Sequence, residues 1–304
     1  MPVTTLPANL LVEGLRAVFM QRVLGSQVDF TNRVAMVVNT TKKTEQMPYI
    51  GDVPSMTEWL DVREISTLSS ALYELTVRDW QVTVGIDYRD LQDEQIALLA
   101  ARISQIASQA SRHPLTLLVE TIVNADTLVG YDGVSFYNDA HPIRAQEGRT
   151  QDNLFAASGT GSLADLQADY DAAHVAFSRF VDEGGKLFHG DVAPDLLAMC
   201  APEDFRNFST LLFSTTQPTN DGNNVYQGQG DLIATGELAT SGDYYYHKVN
   251  GVMRPFVVLE RQGIQVQDSA TPDETWRASK DVKFGADARY QTGVGMWQYS
   301  IAFK

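Results

Sequence analysis

The chain has one cysteine, Cys200, in 304 residues, so it can build neither an internal disulfide nor a cysteine-based metal cluster. Packing and association have to hold the fold. Long apolar runs are missing too, and with them any bilayer-spanning helix. The start, Met1-Pro2-Val3-Thr4-Thr5-Leu6, lacks the basic stretch and apolar core of a secretory signal, which gives the cytoplasm as the expected compartment. Basic residues are scarce, 23 Lys and Arg against 38 Asp and Glu. The resulting net charge of -15 opposes tight, sequence-independent binding to a phosphate backbone.

Catalytic and metal-binding signatures are equally thin. The helix-borne H-E-x-x-H of zinc proteases is absent, which leaves Asp139, His141, His189 and Asp191 as scattered candidates for metal or acid–base chemistry. Gly159-Thr160-Gly161-Ser162 has the glycines of a phosphate loop but not its lysine, and reads as a loop followed by a helix cap. Asp221-Gly222-Asn223-Asn224 lacks the spaced acids and terminal glutamate of a calcium loop and reads as a turn. Cys200 follows Leu196-Leu197-Ala198-Met199, an apolar setting for an inert, packed thiol. Tyr244-Tyr245-Tyr246-His247 has few basic neighbours and reads as strand packing rather than base stacking.

At 304 residues, 44% of them hydrophobic, the chain can bury a sizeable core in two lobes or in one domain with extensions. Leu11, Leu15, Val18 and Phe19 fall at helical spacing, but the segment after them has no stable period until the polar tract Asn39 to Gln46. Residues 1–46 therefore read as an arm that needs a partner surface. Residues 47–90 read as a long two-stranded excursion, with strand-like alternation in Trp80 to Asp87 and a candidate turn at Ser69-Ser70. A hairpin of that kind needs something to cover it.

Asp90, with Asp93 and Glu94 in the first turn, predicts a helix start. Ile96, Leu99, Ala100, Ile103, Ile106, Ala107 and Ala110 then make one apolar stripe. Pro114 is expected to kink or end this helix, and Leu117, Leu118, Thr121 and Ile122 resume its pattern. Ser162 and Asp165 form a capping-box pattern ahead of Leu163, Leu166, Tyr170, Ala173, Phe177 and Phe180, with Gly184-Gly185 as the stop signal. Beyond it the pattern predicts strands at 196–199, 243–248, 256–259 and 282–290 and a helix over 203–213.

Three segments in this order, Tyr131-Asp132-Gly133, Ala140-His141-Pro142 and the run from Phe284 to Gln298 with Gly293-Val294-Gly295-Met296-Trp297, resemble the major head subunit of Mu-like bacteriophages and prophages, a branch of the HK97-type capsid proteins. The resemblance spans most of the chain. It implies an α+β, HK97-type capsid fold: an N-terminal arm (1–46), an extended β-hairpin loop (47–90), a peripheral domain with a long spine helix (91–160 and 269–292) and an axial domain (161–268 and 293–304). In such a fold the 140–142 signature is architectural.

The same resemblance implies a shell subunit, not an enzyme, with no cofactor and no membrane. Hexamers and pentamers would close into an icosahedral head around double-stranded DNA, assembled in the bacterial host cytoplasm and found in the virion. Portal, scaffold, protease and decoration proteins are the implied partners. An encapsulin-like nanocompartment shell and a His/Asp-dependent enzyme are the alternatives. Acidity would suit an inner wall that must not hold packed DNA, and equally keeps any protein soluble. Aromatic residues and arginine anchor interfaces, so the candidate inter-subunit contacts are Phe19 on the arm and Tyr49, Trp59, Arg63, Tyr73, Arg78 and Trp80 on the excursion.

Overall fold

The computed structural model describes residues 8–25, 29–50, 70–87, 96–144, 146–158, 161–189, 195–216, 222–238, 242–251, 253–268 and 281–304. The expected features at Asp90, Asp93, Glu94, Trp59, Arg63 and Asp191, and the first half of the Gly159–Ser162 loop, lie outside them.

Helix α1 (Ala8–Gly25) and the short α2 (Asp29–Val34) lead into β1 (Ala35–Asn39). This departs from an arm reaching outward. Leu15, Phe19 and Val23 are buried against Leu99, Ile103 and Ala107 of α3 (Ile96–Val123), and β1 pairs in parallel with β11 (Phe256–Asp268) of its own chain. The aperiodic segment after α1 does have a partner surface, and that surface is intramolecular. Burying a side chain such as Phe19 contributes about 1.5–3 kcal/mol, enough to hold a helix that would be marginal alone.

The two-stranded excursion is also differently built. β2 (Thr44–Ile50) pairs antiparallel with β3 (Ser70–Thr76), so Ser70 begins a strand instead of turning the chain. β4 (Arg78–Asp87) turns away from this ribbon and pairs antiparallel with β12 (Asp281–Val294). The order β1-β11-β12-β4 makes a four-stranded sheet, with α3 packed along it. The strand expected at 256–259 runs on to Asp268 and belongs to this sheet rather than to the second lobe.

Helix α3 runs through Pro114 without ending. Proline removes one backbone donor and crowds the preceding turn. Here side chains tie that stretch to the sheet. Trp80 lies against His113 with ring centroids 4.5 Å apart and donates from Nε1 to the Tyr290 carbonyl at 2.9 Å, while His113 Nδ1 meets the Tyr290 hydroxyl at 2.7 Å. About two turns further on, Thr121 and Thr292 share a buried hydroxyl contact of 2.6 Å.

Short strands β5 (His141–Pro142), β6 (Thr150–Gln151) and β7 (Leu154–Phe155) follow α3. Helix α4 (Leu163–Arg179) starts with the expected capping box: Ser162 Oγ accepts from the Asp165 amide, and Asp165 Oδ2 accepts from the Ser162 amide at 3.1 Å. Its stop differs. Phe180 is the C-cap, and Gly184-Gly185 lie beyond it in a turn in which the Asp182 amide donates to the Lys186 carbonyl.

The second sheet has the order β7-β13-β10-β8-β9, with β8 (Leu196–Cys200), β9 (Gly230–Ala234), β10 (Tyr244–Lys248) and β13 (Ser300–Phe303). Helix α5 (Phe205–Phe213) packs with α4 beside it. β9 was not legible in the sequence, because its residues alternate half-buried and exposed without a strong apolar face. One continuous apolar cluster joins residues of the two sheets, from Phe256 through Tyr245 to Phe303.

Candidate functional site: a buried junction and the surfaces around it

Segments that are far apart in the chain meet at His141. Nδ1 lies 2.6 Å from Asp132 Oδ2 and Nε2 lies 3.0 Å from Asn153 Oδ1. The imidazole is fully buried. Asn153 completes the network by donating from Nδ2 to the carbonyls of Phe136 and Ser300. Ser300 in turn meets the Tyr137 hydroxyl at 2.7 Å and His247 Nδ1 at 2.9 Å. Gln298 donates to the Tyr131 hydroxyl at 2.6 Å, and burial pushes that phenol upward. All three segments that carry the family resemblance therefore converge on one polar knot inside the fold. Buried polar groups of this kind specify one arrangement because every alternative leaves some of them unpaired.

The glycines of the last segment have a steric reason. A Cβ on Gly293 would sit 3.0 Å from Leu75 and 3.2 Å from the Tyr73 hydroxyl, so its bareness lets the root of the β2/β3 ribbon lie on β12. A Cβ on Gly295 would sit 2.8 Å from the Pro255 carbonyl, below any ordinary contact.

The histidine candidates do not come together as a reactive centre. His141 is occupied as described, and His189 Nε2 donates to the Gln298 carbonyl at 2.7 Å. Among the described residues no group of three or more His, Cys, Asp or Glu is placed to hold a metal ion. Burial pushes the Cys200 thiol up to about 12, with Asp204 adding to the effect, which makes it a poor nucleophile. The residues from Tyr244 to His247 are interior strand residues of β10. Asn224, from the segment read as a turn at 221–224, donates to the carbonyls of Leu211 and Ser214 and accepts from the Tyr226 amide, which makes it a turn-stabilising residue. Sequence reasoning missed Asn153. It lies in the polar run Gln151-Asp152-Asn153, which carries no local sign of burial.

The interface candidates sort by environment. Phe19 is fully buried on α3, Tyr73 is half-buried at the ribbon root, and Trp80 is part of the sheet-and-helix contact rather than of a protruding loop. Arg78 is exposed at the start of β4. Tyr49 lies on β2, where its backbone faces Ala71.

A spine helix packed on a mixed four-stranded sheet, a β-ribbon rooted on that sheet, and a second sheet flanked by two helices define an HK97-type shell fold. Solved shells share it. The procapsid of bacteriophage JBD30 matches with a TM-score of 0.57 over 96% of this chain and 74% of that one, at 16% identity. A virus-like particle from Pyrococcus furiosus matches with a TM-score of 0.56 over 96% of this chain and 98% of that one, at 11% identity. The chain belongs to the family of the Mu-like prophage major head subunit gpT, whose pattern matches residues 8–164 and 209–304. The major capsid protein of Escherichia phage Mu is 27% identical over 112 residues, a stretch that makes up 37% of this chain and 37% of that protein.

Proposed function

We propose that this chain is the major capsid protein of a tailed bacteriophage or a related particle, assembling as hexamers and pentamers into an icosahedral shell around double-stranded DNA. The observation that carries the reading is the family match across both sheets, joined to the finding that the family's signature residues are spent on a buried structural junction. A shell works by geometry. Each subunit makes head-to-tail contacts that close into rings, and ring contacts close the surface. The net charge of -15 favours a container that holds DNA without adhering to it. Tyr49 on β2, the exposed Arg78, and Trp59 and Arg63, which lie outside the described residues, are the proposed contact residues, while Phe19, Tyr73 and Trp80 pack against their own chain. Portal, scaffold, protease and decoration proteins are proposed partners, and the virion, built in the host cytoplasm, is the proposed location.

A second reading rests on the virus-like particle, which this chain overlaps almost end to end. It makes the chain a shell around a different content. Electron microscopy and mass photometry of the chain, expressed alone and with its scaffold and protease, test both readings. Rings or closed shells support assembly, and nuclease-protected DNA inside native particles supports the phage head. A monomer or small oligomer under every condition overturns the proposal.

A further inference from the structure

A groove of about 210 Å³ runs between α3 and the edge strand β4. Trp80 and Val82 of β4, Ile106 and Ala110 of α3, and Ala288 and Tyr290 of β12 give it a mainly apolar lining. Gln81 and Gln109 also line it, and both are exposed, so the groove opens to the surface between α3 and β4. β4 is the last strand of its sheet, and among the described residues no strand pairs with its other edge. From Trp80 to Val84 it carries no charge, proline or bulge, the devices that ordinarily blunt a free edge.

The two ends of the groove carry charge of one sign. Arg102 stands one helical turn before Ile106, and Arg78 stands two residues before Trp80 on the same face of β4. Both are exposed, and neither makes an ion pair or hydrogen bond with a described residue. In a chain with 38 acidic residues against 23 basic ones, two arginines left free at the ends of one apolar groove call for carboxylates from outside.

We propose that the groove takes an extended acidic segment of a separate protein, added as a strand to the free edge of β4, with apolar side chains in the groove and carboxylates on Arg78 and Arg102. Main-chain hydrogen bonds to an open edge supply affinity in such additions, and pockets for alternate side chains supply specificity. From Ile106 to His113 α3 advances about 10 Å. Side chains on one face of a strand repeat every ~7 Å, so two apolar residues fit between two acids. Among the described strands of this chain that have a free edge, none sets acids on both sides of an apolar pair, which points to a separate protein as the guest. Arg78 is also a proposed shell contact, so the guest is placed on the unassembled chain. That placement rests on the shell reading, and the groove does not.

The probe is a dye-labelled, capped peptide, Glu-Thr-Leu-Thr-Val-Thr-Glu, titrated into the full unassembled chain and followed by fluorescence anisotropy and hydrogen exchange. The expected result is saturable binding that slows exchange over 78–84. Affinity should fall about tenfold in Arg78→Gln/Arg102→Gln, the upper end for two exposed ion pairs. Both arginines are exposed and unpaired, so this variant should melt as wild type does. Ala110→Phe, which fills the groove, should weaken binding with the arginines intact. Absence of binding to wild type, equal binding of Lys-Thr-Leu-Thr-Val-Thr-Lys, or binding that leaves exchange over 78–84 unchanged overturns the site. In native particles imaged by cryo-electron microscopy, a second copy's chain in the groove, residues 51–69 included, overturns the separate guest. A chain that never assembles removes the shell reading and the placement before assembly, while the peptide titration still decides the groove.

Discussion

The imidazole of His141 lies flat on the indole of Trp297, with ring centroids 3.9 Å apart and planes within 10° of parallel. The stack joins β5 to the C-terminal segment, and the hydrogen bonds to Asp132 and Asn153 hold the ring in that plane. Replacing His141 by alanine strips the imidazole contact from the buried Asp132 carboxylate and from Asn153 Oδ1, which keeps only the Asn138 amide, and opens a void beside the indole. The expected loss is about 3–5 kcal/mol, read as a lower urea midpoint. A loss below about 0.5 kcal/mol, the scale of an ordinary surface change, would show that the junction is not what holds these segments together.

Phe19→Ala tests whether α1 is held by its own chain. Truncating a fully buried phenylalanine costs about 3–5 kcal/mol in a well-packed core. Here the cost should be confined to α1, because the cluster of Leu15, Phe19 and Val23 with α3 is separate from the main core. Hydrogen exchange should therefore accelerate over 8–25 while β8, β10 and β13 stay protected. Uniform acceleration across the chain would contradict a separate cluster.

At Gly295, alanine would place a methyl group 2.8 Å from the Pro255 carbonyl and 3.0 Å from that of Arg254, both backbone atoms with little freedom to retreat. Gly295→Ala should cost about 1–3 kcal/mol, the range for overpacking. Gly293→Ala presses mainly on Leu75 side-chain carbons and should cost less. The order of the two thermal midpoints is the readout, and the reverse order would refute this account of the paired glycines.

His247 supplies a pH dependence. Burial lowers its titration from 6.5 to about 3, so the folded chain keeps it neutral where the unfolded chain takes up a proton. The unfolded state then binds more protons than the folded state in that window, and stability falls as the pH drops from 6.5 toward 3. The limiting slope is about 1.4 kcal/mol per pH unit. Acidic urea titrations of His247→Asn should show a shallower fall across the same window, and an unchanged slope would remove His247 as its source.

Features written in a single stretch were legible in the sequence. The apolar stripe Leu99, Ala100, Ile103, Ile106, Ala107, Ala110 is the face by which α3 packs, and Ser162 with Asp165 caps α4 as spaced. The three family segments could be read because they are short and ordered, and they carried the fold class with them. What each strand pairs with could not be read, since alternation shows that a strand has a buried face but not whose edge it meets. β4 pairs with β12 and β1 with β11 across some 200 residues of chain, and those pairings take Trp80 and the segment after α1 out of the protruding roles assigned to them. Asn153 is a sharper case, because nothing next to it in the chain marks it as buried until His141 and Ser300 close around it. Local periodicity and capping chemistry thus determined the helices, and three short ordered segments the family, whereas tertiary structure alone decided strand pairing and the polar junction, because both depend on contacts between residues distant in sequence.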